Sequence, residues 1–239
     1  MPQPHEPLPA ETEVGHEQVG RLKQAWRLRI RQARRERVAG LARDPEGYLL
    51  SRFRTAQNLT AGLLDAVAPT LARVAAESGC VAVYQALPTE PPTDHLVTTL
   101  LDLGASVLVP QLLPDRDLAW RRIVPKSGSG PADPGVNPAD PRAAGRPVLP
   151  PSAIGEAGLV VVPALAVDRF GGRLGQGGGS YDRALPRVRP GIPVVALVFD
   201  EEFTNQPVPT SAHDARVGAV LTPQSGFRWL PLTATDTGE

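Results

Sequence analysis

The stretch GLVVVPALAVDRFGGRLGQGGGSYDRAL, residues 158–185, decides how this chain is read. Residues 158–163 form a short, continuous apolar run, the pattern of a strand buried on both faces. SYDRALPRV, at 180–188, opens like a helix. Between Gly171 and Leu185, six of fifteen residues are glycine. Glycine loses more conformational entropy on folding than any other residue. Such density marks either a flexible linker or a loop whose backbone touches something closely. A loop between a buried strand and a helix, on the carboxyl side of the strand, is where open α/β sheets bind ligands.

The neighbouring segments fit that architecture. CVAVY (80–84), SVLVP (106–110) and IPVVALVF (192–199) read as strands, and RVGAVLT (216–222) as the last one. DLAWRRIV (117–124) is a third strand or a hairpin arm. TDHLVTTLLDLG (93–104) reads as a helix closed by Gly104. Residues 17–41 place Val19, Leu22, Trp26 and Ile30 at helical spacing. Asp44 can cap a second helix with Pro45 at its first position, running to Glu77 with a break or kink at Pro69. Strands alternating with helices predict an α/β, three-layer Rossmann-like fold with a mostly parallel sheet flanked by helices. One domain is expected over 17–230. Residues 1–16, rich in proline and glutamate, are expected to be a disordered leader. Residues 125–151, rich in proline and glycine, are expected to be a surface excursion.

Composition narrows the function classes. The 239 residues carry 25 basic and 25 acidic side chains, a net charge of zero, so no global field draws the chain to nucleic acid or membrane. The single cysteine, Cys80, excludes an intramolecular disulfide and suits a reducing cytosol. No apolar run approaches the roughly 20 residues of a membrane span, and the N-terminus has no signal-peptide core. Residues 21–37 hold eight Lys/Arg and one acid, Glu36. Such a helix could lie on a phosphate backbone, but zero net charge and the lack of an interleaved aromatic platform argue against it. A solvated face is the expectation for most of these arginines. The four histidines show no metal-ligand spacing, and His213 is expected in a structural or outer-sphere role. Cys80 reads as core, Trp120 as core or as a wall on which a ligand stacks, and no G-x-S-x-G elbow occurs.

In the loop, Gly177, Gly178 and Gly179 would let backbone N–H groups reach phosphate oxygens, with Arg173 and Arg183 on either side. There is no Walker loop, and the third glycine of G-x-G-x-x-G is absent. On these residues alone, a surface turn beside a core strand also fits. Asp182 beside a phosphate loop calls for an intervening cation. Mg²⁺ takes one or two carboxylates plus phosphate and water. Asp182 equally suits a helix first turn. Asp214, in AHDARV, is either a second metal-facing acid or a turn residue.

Taken whole, VVPALAVDRFGGRLGQGGGSYDRAL closely resembles the signature of the 5-formyltetrahydrofolate cyclo-ligases, or methenyltetrahydrofolate synthetases, VPxxAFDxxGxRLGxGGGYYDRxL. LKQAWRLRIR resembles the family's K-x-x-x-R helix through Lys23 and Arg27. VYQALPTEPPT resembles its strand and E-x-x-T through Glu90 and Thr93. HDARVGAVLTP resembles its C-terminal element. The likeness runs from about residue 20 to about residue 223. It implies a cytoplasmic, monomeric enzyme that uses ATP and Mg²⁺ to convert 5-formyltetrahydrofolate to 5,10-methenyltetrahydrofolate, ADP and phosphate. The partner implied is a reduced folate, with neither nucleic acid nor membrane. The γ-phosphoryl group makes the formyl oxygen a leaving group, N10 closes the ring, and phosphate departs.

By the same resemblance, Lys23 and Arg27 hold ATP phosphates. Arg173, Leu174, Gly175, Gln176, Gly177, Gly178, Gly179, Ser180 and Tyr181 wrap the nucleotide, with Arg173 and Tyr181 in catalytic positions. Asp182 and Asp214 bind Mg²⁺. Glu90 faces the folate, and Gln176 to Ser180 approach it. The chain departs from the pattern at Ser180, where the family has the first of two tyrosines, and at Pro92, where it often has an acid. The alternative reading is a non-catalytic folate- or nucleotide-binding paralogue, and Ser180 is the feature that favours it.

Overall fold

The computed structural model describes residues 10–232 except 42, 78 and 126–146. Residues 1–9 of the expected 1–16 leader and most of the expected excursion lie outside these residues, while residues 10–16 are helical rather than disordered. Helix α1 spans Ala10–Leu41, so it begins seven residues before the expected Glu17. Alanine and glutamate, strong helix formers, dominate its first positions. Helix α2 spans Pro45–Ala76, capped by Asp44, whose carboxylate accepts the Gly47 N–H. Val67 leaves helical geometry just before Pro69, the expected kink. By length and composition alone α2 is apolar enough to cross a membrane, a test that the core helix of a globular fold also passes. Leu59, Leu63, Val67, Leu71 and Val74 pack into the core.

Strands β1 (Cys80–Val83), β2 (Ser106–Leu112), β3 (Leu118–Ile123), β4 (Ala157–Pro163), β7 (Val194–Leu197), β9 (Ala219–Thr222) and β10 (Gly226–Trp229) form one sheet in the order β10-β9-β7-β4-β1-β2-β3. The five inner strands are parallel, with Val81 opposite both Val107 and Leu159. Both edge strands are antiparallel. β3 is thus the hairpin arm of β2, and β9 is followed by one more strand than expected.

Side chains alternate across this sheet as strand geometry requires. Val81, Val83, Val107, Val109 and Val161 meet α2 and α3 (Asp94–Asp102). Ala82, Leu108, Val160, Val162 and Trp120 meet the opposite layer. That layer is thin. It consists of a 3-10 turn at Pro151–Glu156, helix α4 (Ser180–Ala184) and a 3-10 turn at Leu185–Arg187. Pro186 stops the helix expected at 180–188, because proline lacks an N–H and clashes with the preceding turn. Leu149, near the end of the expected excursion, exchanges backbone hydrogen bonds with the buried Trp120. Cys80 and Trp120 are core, as expected.

Three short strands that the sequence reading did not include, β5 (Ala166–Asp168), β6 (Arg173–Leu174) and β8 (Phe203–Thr204), form a second sheet in the order β6-β5-β8. α1 lies on it through Ile30 and Trp26. Leu22, expected on the buried face, is 46% exposed. Arg21, Arg29, Arg31 and Arg35 are exposed, as expected for most of these arginines, but Arg34 and Arg37 are not. Arg34 is only 2% exposed and makes a bidentate pair with Glu202, both N···O distances 2.7 Å, plus a bond to the Ala164 carbonyl. Arg37 pairs with Glu201 and lies over the Phe199 ring.

Candidate active site

The glycine loop is built on Asp168, at the end of β5. Its carboxylate is 3% exposed and accepts three backbone N–H groups: Phe170 at 2.8 Å, Gly172 at 2.9 Å and Val208 at 2.8 Å. This ties the start of the loop to the crossover between β8 and β9. Gly171 holds φ +83°, and a Cβ there would meet the Val217 carbonyl at 2.4 Å. Both its torsion and the close backbone approach require glycine.

Beyond β6 the chain rims a cavity of about 420 Å³, within the range of small-molecule sites. Its walls bring together the expected set: Lys23, Arg27, Arg173, Leu174, Gly175, Gln176, Gly177, Gly178, Gly179, Ser180, Tyr181, Asp182 and Asp214. Leu112, Leu118 and Pro163 complete it. The glycines are not equivalent. Gly177 (φ +100°) and Gly179 (φ +69°) need glycine's torsional range, whereas Gly178 does not. A Cβ on Gly177 would also come within 3.3 Å of the Arg27 guanidinium.

α1 places its cations on this loop. Arg27 Nε donates to the Gly175 carbonyl at 3.0 Å. Burial, with nearby Arg31, lowers the Arg27 pKa, while Asp214 and Asp182 oppose that shift. Lys23 Nζ reaches Asp214 Oδ2 at 2.5 Å and Ser211 Oγ at 2.9 Å. Burial raises the Asp214 pKa, but the donors Lys23 and Ser211 outweigh it and hold the carboxyl below its usual range.

Arg173 differs from its expected place as a charge beside the loop. It is buried, and its Nη2 donates to Asp182 Oδ1 at 2.6 Å, so its charge is matched by that acid. Asp182 Oδ1 also accepts the Ala215 N–H at 3.2 Å, which brings the Asp214 segment against α4. Arg183 donates to the carbonyls of Arg116 and Gly178. The helix after the glycines has only five residues, Ser180–Ala184.

Tyr181 packs between both cores. Its hydroxyl is buried without a hydrogen-bond partner among the described residues. Burial, then the charge of Glu90, pushes the phenol far above its usual pKa. It is a donor at neutral pH and not a base. Glu90 lies behind the cavity wall and reaches it through Gln176, whose Nε2 donates to Glu90 Oε1 at 2.9 Å. His213 is exposed and makes no hydrogen bond among the described residues, so the outer-sphere role expected for it is not seen.

Each aspartate commits one oxygen within the protein. Asp182 Oδ2 and Asp214 Oδ1 accept no hydrogen bond among the described residues. No group of three acid, histidine or cysteine side chains with metal-binding geometry occurs among them. The protein therefore offers no closed cage. Two carboxylates on one cavity wall still fit Mg²⁺, which draws its other ligands from phosphate and water.

The 5-formyltetrahydrofolate cyclo-ligase family model matches residues 20–223. The chain belongs to this family. A 5-formyltetrahydrofolate cyclo-ligase of Mycolicibacterium smegmatis is 39% identical over 152 residues, 62% of this chain and 75% of that protein. Two solved structures share the cyclo-ligase fold. The 5,10-methenyltetrahydrofolate synthetase of Aquifex aeolicus superposes with TM-score 0.60 at 21% identity, covering 89% of this chain and 94% of its own. That of Mycoplasma pneumoniae superposes with TM-score 0.55 at 14% identity, covering 83% and 96%.

Two features of this cyclo-ligase family member were not read from its sequence. Asp168 organises the loop, and its signal was an acid followed by glycines at the spacing of a side-chain-capped turn. The Arg34–Glu202 pair joins residues 168 positions apart and left no local signal.

Proposed function

We propose that this chain is a 5-formyltetrahydrofolate cyclo-ligase. It forms 5,10-methenyltetrahydrofolate with consumption of ATP in the presence of Mg²⁺, as a monomeric cytoplasmic domain spanning 17–230. The observation that carries the reading is the convergence of Lys23 and Arg27 from α1 on a glycine loop that also bears Asp182, with Asp214 beside it. ATP supplies the phosphoryl group that turns the formyl oxygen into a leaving group for ring closure.

Lys23 and Arg27 bind phosphate oxygens, one helical turn apart on one face. The backbone of Gly175–Gly179 follows the phosphates closely. Asp182 and Asp214 hold Mg²⁺ through the oxygens they do not commit elsewhere, and the metal offsets phosphate charge. Arg173 fixes the Asp182 carboxylate. Protonated Tyr181 offers its O–H as a donor at the cavity wall. Glu90 and the segment 176–180 contact the folate. No covalent nucleophile is needed, because phosphoryl transfer rests on positioning and charge neutralisation.

The test is incubation of the purified chain with 5-formyltetrahydrofolate, ATP and Mg²⁺, following methenyl absorbance and ADP. Equal amounts of both products, lost on chelation, are expected. Asp182→Asn should need more Mg²⁺ for the same rate. Absence of methenyl product from the wild type refutes the proposal.

A further inference from the structure

The cationic row on α1 does not end at Arg27. Arg31, one helical turn further on, shares that face. Its Nε donates to Gln176 Oε1 at 3.0 Å and its Nη2 to the Gln176 carbonyl at 2.5 Å. Gln176 Nε2 then donates to Glu90 Oε1 at 2.9 Å. One side-chain relay thus joins α1, the glycine loop and the segment following β1.

A carboxamide has one acceptor oxygen and one donor nitrogen, a guanidinium only donates, and a carboxylate only accepts. Between Arg31 and Glu90, Gln176 therefore has a single satisfied orientation. Glu90 is 3% exposed, and its side chain is held by neutral donors, the Gln176 amide and the Leu87 N–H at 3.0 Å. A carboxylate has about four lone-pair sites, so acceptor capacity remains. Without Arg31 the Gln176 side chain keeps only its bond to Glu90 and is free to swing away from it.

We propose that Arg31 is a positioning residue for the folate half of the site. It fixes the Gln176 amide so that Glu90 stays an ordered acceptor for N–H groups of the reduced pterin. This rests on the reading of Glu90 and the loop given above. Arg31 is exposed and does not line the cavity that holds Lys23 and Arg27. A simple cation acting on ATP and a positioning residue acting through Gln176 therefore predict different kinetic signatures.

The experiment compares full-length wild type, Arg31→Ala, Arg31→Lys, Gln176→Met and the Arg31→Ala/Gln176→Met double variant. KM is measured for each substrate, and folate affinity is measured without ATP by fluorescence. Arg31→Ala should raise the folate KM and dissociation constant about tenfold, the scale of one charge-assisted hydrogen bond. It should leave the ATP KM and the melting temperature unchanged. Arg31→Lys keeps charge without the planar fork and should fall between. Gln176→Met should weaken folate similarly, and adding Arg31→Ala to it should cost much less than Arg31→Ala alone, because only the bond to the Gln176 backbone carbonyl is left to lose. An effect confined to the ATP KM, full additivity in the double variant, or no effect on folate overturns the inference. If Arg31→Ala fails to fold, the Arg31→Lys/Gln176→Met comparison decides by the same additivity criterion. A wild type that neither binds folate nor forms product overturns the functional proposal and this inference together. A wild type that turns over with insensitive variants overturns the inference alone.

Discussion

Replacing Asp168 by asparagine changes almost no volume, yet it attacks the foundation of the glycine loop. The carboxylate accepts Phe170 N and Gly172 N on one oxygen and Val208 N on the other. Asparagine has a single acceptor oxygen. Its best orientation keeps the first two bonds and turns an NH₂ group toward the Val208 N–H. One hydrogen bond is lost and two buried donors face each other. An unsatisfied buried polar group costs about 1–3 kcal/mol, so the pair costs about 2–6 kcal/mol. For a chain of this size, 1 kcal/mol shifts the melting temperature by about 2–4 °C, giving a loss of about 4–24 °C. Urea denaturation and thermal melting read the first effect. Calorimetry with a non-hydrolysable ATP analogue reads the second, because a loosened loop start disorders Gly175–Gly179 and weakens nucleotide binding. Stability within about 0.5 kcal/mol of wild type, the range of a neutral surface substitution, together with unchanged nucleotide affinity, would refute the reasoning.

Other outcomes follow from the same geometry. Because the Asp214 pKa is depressed in the folded state, the Lys23 tie stabilises the fold above the ordinary carboxylate pKa of about 3.9 and is lost as pH falls through the lower folded value. Acid melts should therefore separate wild type from Asp214→Asn at neutral pH and merge at the acid end. Gly177→Ala should weaken ATP binding strongly, since its torsion and the Arg27 contact both resist a side chain, whereas Gly178→Ala should change it little. Titration calorimetry on both variants checks this. Ser180→Tyr should lower the folate KM about three- to tenfold, the worth of an aromatic contact, and leave the ATP KM alone. Steady-state kinetics would expose an error if the ATP term moved instead.

The legible parts of this chain were those with local patterns. Continuous β-branched runs gave β1 and β4, and Asp44 with Pro45 gave the start of α2. The glycines and Asp182 stood out in one short window, whereas Lys23 and Arg27 were singled out only by the family resemblance; folding brings them round one cavity. β5, β6 and β8 have two or three residues each, too few for a period to register. Arg34 and Arg31 looked like two more members of a solvated stripe. Their partners, Glu202 and Gln176, lie 168 and 145 positions away, and only folding brings them together. Ser180 was noticed only as a departure from a pattern, and Asp168 was hidden inside it.

The attachment of α1 has a consequence for how the molecule divides its labour. The two large apolar clusters are closed by α2, α3, the main sheet and the short helical turns, and no residue of α1 belongs to them. α1 contributes Ile30 and part of Trp26 to a third, small cluster and is otherwise fastened by ions and amides. Its sequence can therefore vary without repacking the sheet, provided Arg34 keeps its acid. In the proposed function, the cations assigned to phosphate ride on a polar arm rather than on the oily interior. Changes in phosphate binding at that proposed site have a natural place to accumulate, at the exposed and half-exposed positions around Lys23 and Arg27, which are not part of the core.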